Sequence, residues 1–323
     1  MTESTLEIPE SQNKWLNSEV FAHSGTLSDI YQYIPSFERQ DFSLPQPNLG
    51  LVLTNRHLDT IVRLPFRGDP TSMPIGVVSK NYTLVQHTEV LGIAMEALAN
   101  AKIAPSNVKA EVQITEYGER MALSVFLPDQ YSFDPGDGNP MTLRLECLNS
   151  VERSTRFRVL MGWYRFVCRN GLIIGVTHSD IYRRHVGDFR LNDVGKVLRE
   201  GIGAAEKEKK NFERWYKTEI KIAQLVPWVD KELKDGLGFM AAARAVHIAC
   251  TGYDVQVSGQ YKGFTPTTVA TKRAGRVPGS PPECRNLFDL SQILAWLAKE
   301  RRDLQEQFEW REKIPELLAT FLK

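Results

Sequence analysis

Alternation of apolar and polar positions governs the first two thirds of the chain, and helical spacing governs the last third. Residues 52–64 contain an alternating section and predict a first strand. Residues 77–85, Val-Val-Ser-Lys-Asn-Tyr-Thr-Leu-Val, have strand composition. Thr88 is placed to cap a helix over 89–101, where Val90, Ile93, Ala94, Leu98 and Ala101 share one face. Residues 108–115 and 121–127 alternate on either side of Glu116-Tyr117-Gly118-Glu119 and predict a hairpin. A second antiparallel pair is expected from 141–148 and 155–168 around the turn at 149–154. Its second run also fits a helical stripe through Phe157, Leu160, Met161, Tyr164, Val167 and Cys168; as a strand it needs a bulge, most simply at Gly162. Asn170-Gly171 reads as a turn. Beyond Asp193 the spacing predicts helices over 194–223, 239–249 and 287–313, with Pro315 opening a short final one. The inward faces predict a core containing Val77, Tyr82, Leu84, Ile93, Leu98, Val112, Leu123, Leu143, Val167 and Leu172.

The expected fold is α+β: a mainly antiparallel sheet with an early helix, followed by a helical C-terminal part. Three divisions follow. Residues 1–50 are polar and acidic, lack sustained periodicity and read as a loose, partly disordered arm. Residues 51–190 hold the sheet, and 191–323 are helical except for a Gly/Pro/Thr-rich loop at 259–285. Arg67-Gly68-Asp69-Pro70 and residues 134–140, Asp-Pro-Gly-Asp-Gly-Asn-Pro, are turns or loops. With 42% hydrophobic and 24% charged residues the chain is that of a globular protein, and its apolar runs are too short for a membrane helix. Four cysteines (147, 168, 250, 284) lack any Cys-x-x-Cys pair and are expected as buried thiols in a cytoplasmic protein.

Charge changes the picture, because it is unevenly distributed. Residues 151–190 carry eight arginines against three acids, a net of +5 in a chain of net +1; residues 1–50 carry −5. The 259–285 segment adds a net of +4. Arginines set among large aromatic residues, as in Trp163-Tyr164-Arg165-Phe166, are suited to holding phosphates and stacking on bases. They are equally suited to solvating the outer face of a sheet, with their stems over apolar surface. On the first reading the candidate nucleic-acid-binding residues are Arg153, Arg156, Arg158, Arg165, Arg169, Arg183 and Arg184, with Lys262, Lys272, Arg273 and Arg276 of the second basic segment closing over the strand.

Four motifs in order resemble a family of phage- and plasmid-borne proteins known as domain of unknown function 932. They are residues 76–86, Gly-Val-Val-Ser-Lys-Asn-Tyr-Thr-Leu-Val-Gln, followed by a helix; Leu148-Asn149-Ser150 at a strand end; residues 165–172, Arg-Phe-Val-Cys-Arg-Asn-Gly-Leu; and Arg183-Arg184-His185 before the long helix. Together they cover about residues 70–225. The family usually has His-Asp-Gly after the Asn-Ser, where this chain has Val151-Glu152-Arg153, and commonly Asn-Thr-Leu in place of Asn170-Gly171-Leu172. No role of that His-Asp pair therefore carries over. The resemblance implies a mobile-element origin and a place in DNA metabolism or in conflict with host defences, without implying a chemistry.

The usual catalytic signatures are missing. Gly195-Lys196 is followed by Val197 rather than Ser or Thr, and there is no Gly-x-Ser-x-Gly or His-Glu-x-x-His. Cys168, His178 and His185 offer three loosely spaced donors without a paired fourth, so no metal and no cofactor is expected. The leading expectation is a non-enzymatic, sequence-tolerant DNA-binding protein that protects or anneals single strands; the β-helix-β-β order with a basic sheet is similar to single-strand annealing proteins at the level of fold. A homo-oligomer is a further candidate assembly. The alternative is an anti-defence or regulatory factor whose partner is a host defence protein. A third reading, a metal-dependent nuclease, would draw on Glu111, Glu116, Glu119 and Asp134.

Overall fold

In the computed structural model, residues 13–167, 170–173, 193–262 and 265–322 are described. They form an α+β protein with antiparallel sheet in the N-terminal part and helices in the C-terminal part. The chain divides into two compact units, one of Met1–Pro128, Arg144–Met161 and His178–Glu200, the other of Asp129–Leu143, Gly162–Thr177 and Gly201–Lys323.

The first unit opens with β1 (Asn13–Trp15), β2 (Ser18–Gly25) and a short helix, α1 (Leu27–Tyr31), whose N-cap Thr26 forms a capping box with Asp29. β3 (Phe37–Gln46), β4 (Leu51–Arg63) and β5 (Met73–Ser79) make a separate three-stranded antiparallel sheet. Residues 13–46, expected as a loose arm, are thus mostly strand. Their strands are too short or too polar to show a period. Helix α2 (His87–Asn100) then buries Val90, Leu91, Ala94, Ala97 and Leu98. Its cap is Gln86, not Thr88: Gln86 and Glu89 form the reciprocal capping box, one turn earlier than the apolar stripe suggested.

β6 (Lys109–Thr115) and β7 (Arg120–Phe126) pair as the expected hairpin, Ile114 opposite Met121. After β8 (Ser132–Phe133) come β9 (Met141–Ser150), β10 (Arg158–Arg165) and β11 (Asn170–Ile173). The sheet of the first unit runs β1-β2-β6-β7-β9-β10. β9 is buried at every position, so it carries near-continuous apolar character in place of clean alternation. The 155–168 run is a strand, and Asn170-Gly171 is no turn: Asn170 pairs with Arg165 and Gly171 with Tyr164, while the reversal falls at Phe166-Val167. That turn leaves Val167 42% exposed, and Val77 is 44% exposed on β5. Of the other expected core residues, Tyr82, Leu98, Val112, Leu123 and Leu143 are buried and Leu84 and Ile93 half-buried; the Leu172 side chain lies outside the described ones.

The second unit is built on α3 (Asp193–Lys217), α4 (Ile222–Trp228), α5 (Lys234–Leu237), α6 (Phe239–Thr251), α7 (Leu287–Lys299) and α8 (Leu304–Phe321), with a π-helical turn at Val229–Leu233. α7 is buried almost all round, as a central helix must be. The stripe expected to run from 287 to 313 is broken by Asp303, which caps α8 by accepting from the Gln305 and Glu306 amides. Pro315 lies inside α8, where burial of Ile314, Leu317 and Leu318 offsets its missing donor. The 259–285 segment is a loop only from 277: β12 (Tyr253–Lys262) and β13 (Thr265–Arg276) form a long hairpin. Its Thr and Val residues outweigh the Gly and Pro that suggested a loop. Phe133, Trp163, Phe212 and Phe288 form an aromatic cluster with centroid spacings of 4.7–6.4 Å.

Cys147 and Cys284 are buried, as expected, and burial pushes both thiols up to about 12; Cys250 is exposed. Among the described residues no helix is long and apolar enough to cross a membrane.

Asp134 shapes one turn of this unit. Its Oδ1 accepts the amides of Gly136, Asp137 and Gly138 at 2.8, 3.0 and 3.1 Å, folding the loop around itself. The product is a fixed Asp137, whose carboxylate pairs with the guanidinium of Arg165, a residue only 2% exposed. Replacing Asp137 by Ala should destabilise the protein by about 3 kcal/mol, because a buried cation then loses its counter-charge. Urea unfolding followed by far-UV circular dichroism measures it; a loss under about 1 kcal/mol would show that the pair is incidental.

Candidate nucleic-acid interface

The arginines singled out in the sequence meet different fates. Arg153 is exposed, in a turn where it adopts φ 74°, and Arg156 is half-buried. Arg158 and Arg165, the first and last residues of β10, are buried. Arg276 is exposed at the end of β13. Lys262, Lys272 and Arg273 lie in the β12–β13 hairpin, opposite Thr265, Gln256 and Val255, with their side chains outside the described ones; Arg169, Arg183 and Arg184 lie outside the described residues. Arg153, Arg156 and Arg158 belong to the first unit, while Arg165 and the hairpin cations belong to the second.

The first unit holds a cleft of about 430 Å³ that the sequence did not announce. β2 contributes Phe21 and His23, the segment after α1 contributes Tyr33 and Pro35, and the end of β4 contributes Arg63. Phe66 and Arg67 come from the next turn, and Ile114 to Gly118 from the β6–β7 hairpin. Phe66 and Asp69 exchange backbone hydrogen bonds of 3.0 Å, with Arg67 at φ 50° and Gly68 at φ 84°. Two left-handed residues in succession make a tight reversal that glycine tolerates and arginine adopts under strain. Asp69 secures it, accepting from the Thr71 amide at 2.9 Å and hydroxyl at 2.5 Å and pairing with Arg63. Those bonds from Thr71, and then Arg63, hold the Asp69 carboxyl below its usual range. The Arg-Gly-Asp tripeptide is here a structural turn.

What the turn achieves is a stack. The Arg67 guanidinium lies 4.3 Å from the centroid of the Tyr33 ring, and the His23 imidazole lies 3.7 Å from it at 10° to its plane. Two groups so close must occupy opposite faces of the phenol. The result is a cation, an aromatic ring and an imidazole in three layers. Partial burial first, and then the charge of Arg67, hold the His23 pKa below 6.5, so its ring is neutral at pH 7. Beside the stack Arg63 is 8% exposed; its Nε has no hydrogen-bond partner among the described residues.

The opposite wall, Glu116 to Gly118, is held from beneath. Gly118 has φ 78°, and a Cβ there would stand 2.4 Å from Pro35 Cγ, so the site admits only glycine. Its carbonyl accepts from His87 Nε2 at 2.8 Å; His87 Nδ1 in turn accepts from Asn149 Nδ2, which also donates to the Val85 carbonyl at 3.0 Å. This network fixes the neutral tautomer of a fully buried ring. Asn149 and Val85 belong to motifs noticed in the sequence, and their role is this buried bracing. Tyr33, His23 and Arg63 were not singled out, and Arg67 was noticed only as part of a turn.

The carboxylates of the nuclease reading have other employment. Glu119 accepts from Ser18 at 2.6 Å and faces Arg120 at 3.3 Å, and Asp134 braces its own loop. Among the described residues no three His, Cys, Asp or Glu side chains gather as metal ligands; Cys168, His178 and His185 lie outside them.

A family model described as Domain of unknown function (DUF932) matches residues 74–236. Neither a curated protein nor a solved structure matches the chain. The matched range includes the bracing network and the Glu116–Gly118 wall, whereas the stack and Arg63 precede it.

The stack makes the fold pH-sensitive in a defined direction. A His whose pKa is lowered on folding contributes stability that is full above 6.5 and is lost as pH falls through the lowered value. The melting temperature should therefore fall more steeply between about pH 6.5 and 5 in the wild type than in His23→Phe, which keeps the ring but cannot be protonated. Parallel melting curves for the two proteins across that range would remove His23 from this role.

Proposed function

Because the chain belongs to the family described as Domain of unknown function (DUF932), a description without chemistry, we propose from the residues of the cleft that this protein binds single-stranded DNA without sequence preference and without catalysis. In this reading it is a cytoplasmic protein of a phage or plasmid that protects or anneals exposed strands. The observation that carries the reading is the Arg67–Tyr33–His23 stack beside Arg63. Bases released from a duplex offer flat faces to aromatic rings and guanidinium planes, and their phosphates seek arginine. A stacked base still within a duplex cannot present that face, which favours single strands. The cleft volume falls at the lower end of small-ligand sites, enough for one nucleotide unit and not for a duplex. Arg63 is already paired with Asp69, so Arg67 is the main cation left for a phosphate. Exposed Arg153 and half-buried Arg156 of the same unit would add contacts along the strand.

Fluorescence anisotropy with labelled oligonucleotides of unrelated sequence, at several salt concentrations, tests this. Arg67→Ala should weaken all sequences alike and flatten the slope of log affinity against log salt by about 0.7. Tyr33→Leu should weaken binding by about tenfold, the worth of one stacked base, and leave that slope unchanged. The reading fails if the wild type shows no salt-dependent affinity, or if both variants, folded by circular dichroism, bind as the wild type does.

A further inference from the structure

The distal part of β3 and β4 forms a hairpin arm, and we propose that it is a self-association surface on which a second copy of this chain docks. β4 pairs with β5 only from Leu58 to Arg63, so residues 42–57 have no third strand beside them. From Phe42 to Asn55 the sequence contains no charged residue. In the register of the arm Leu44 stands opposite Leu53 and Gln46 opposite Leu51, and directly opposed residues share a face. One face therefore presents Leu44, Leu51 and Leu53, with Leu49 at the tip. They are 63, 54, 58 and 70% exposed.

Such an arm is unusual for a lone chain in water. A two-stranded hairpin without a covering layer is marginally stable. The four leucines expose on the order of 400 Å² of apolar surface, comparable with the largest patch of a typical monomer and concentrated on one thin element. The chemistry selects the occupant. No cation between 42 and 55 could anchor a phosphate backbone, and no Trp, Tyr, Lys or Arg there could seat the tip at a lipid headgroup layer. An uncharged leucine face is complementary to itself, and a two-fold axis through it uses the same patch twice. Two such faces would bury about 800 Å² from the leucines alone, with Phe42 and the flanking backbone adding to it, near the lower limit of a specific interface. The dimer is accordingly weak and concentration-dependent. Pro45 and Pro47 in and after β3 deprive that edge of donors, which discourages open-ended strand addition and keeps the association closed.

Sedimentation velocity of the full chain from about 1 to 200 µM, a range bracketing micromolar affinity, is the test. The wild type should shift from monomer toward dimer across the range. Leu53→Glu should raise the dissociation constant at least tenfold, with circular dichroism unchanged, because residue 53 is already exposed. Val52→Glu, on the other face of the same strand, should dimerise nearly as the wild type does. A wild type that is monomeric throughout overturns the proposal, as does equal association of Leu53→Glu. Equal weakening by both variants overturns the face assignment. Loss of oligonucleotide or vesicle binding by Leu53→Glu in a monomeric wild type would give the arm to nucleic acid or lipid instead.

Discussion

One fully buried imidazole governs how the first unit is put together. His87, the first residue of α2, accepts from Asn149 on β9 and donates to Gly118 in the β6–β7 turn. Its neighbour Gln86 caps the helix and also grips β3, donating to the Phe37 carbonyl and accepting from the Phe37 amide. The start of one helix thus fixes a strand of each sheet and the wall of the cleft. A buried ring with both nitrogens engaged tolerates no small displacement, since either broken bond would leave a polar atom without water. Gly118 must then keep its left-handed backbone for its carbonyl to reach the ring. Aromatic support comes from Phe37, edge-on to His87 at 5.4 Å.

Net charge along a sequence counts cations that folding later consumes. The basic middle segment owes its excess partly to Arg158 and Arg165, which are buried. Elsewhere Arg120 donates to Glu152 at 2.9 Å and to the Trp15 carbonyl at 2.7 Å, and Arg144 pairs with Glu146 at 2.9 Å. Arginine suits this use because its planar fork satisfies several acceptors at once and its charge is weakly hydrated. The counter-ions lie far off in sequence or in loops: Asp137, partner of Arg165, sits in a Gly/Pro-rich turn where nothing in its neighbours marks it. Charge segregation pointed to a region, therefore, and not to which cations face solvent.

Local pattern was a good guide wherever one face of an element met the core. The β6–β7 hairpin and α2 follow from alternation and from i, i+3, i+4 spacing because each buries one side only. Pattern failed where burial was total, absent or supplied from afar. β9 is buried on every side chain, and the arm of β3 and β4 is buried on almost none, so neither shows the full contrast that a period needs. The β12–β13 hairpin was hidden by Gly and Pro, although its Thr-Thr-Val-Ala-Thr run is strand composition. The stack draws on residues 23, 33 and 67, from three elements, and each is ordinary in its own window. Only the strained Arg67 in its tight turn could have marked it beforehand, and strain is a property of the backbone, not of composition.

β4 joins the two features of the first unit that have no explanation in stability alone. Its beginning carries Leu51 and Leu53 of the arm, and its last residue is Arg63 of the cleft. The stretch between Leu53 and Arg63 spans at most about 33 Å at strand rise, and β5 stiffens the half nearest the cleft. Two arms joined about a two-fold axis would hold two clefts at a set separation, on opposite sides of the leucine contact. A strand captured by one cleft would then meet the second at an effective concentration fixed by that geometry, not by the bulk. The arrangement suits a weak site: one cation and one stack bind a nucleotide poorly, whereas a pair of such sites on one flexible strand multiplies their affinities. It also separates the roles by chemistry, since an arm without charge can associate at salt concentrations that weaken a contact made through Arg67. Weak self-association and weak ligand binding would in this way reinforce each other through a single strand of the sheet.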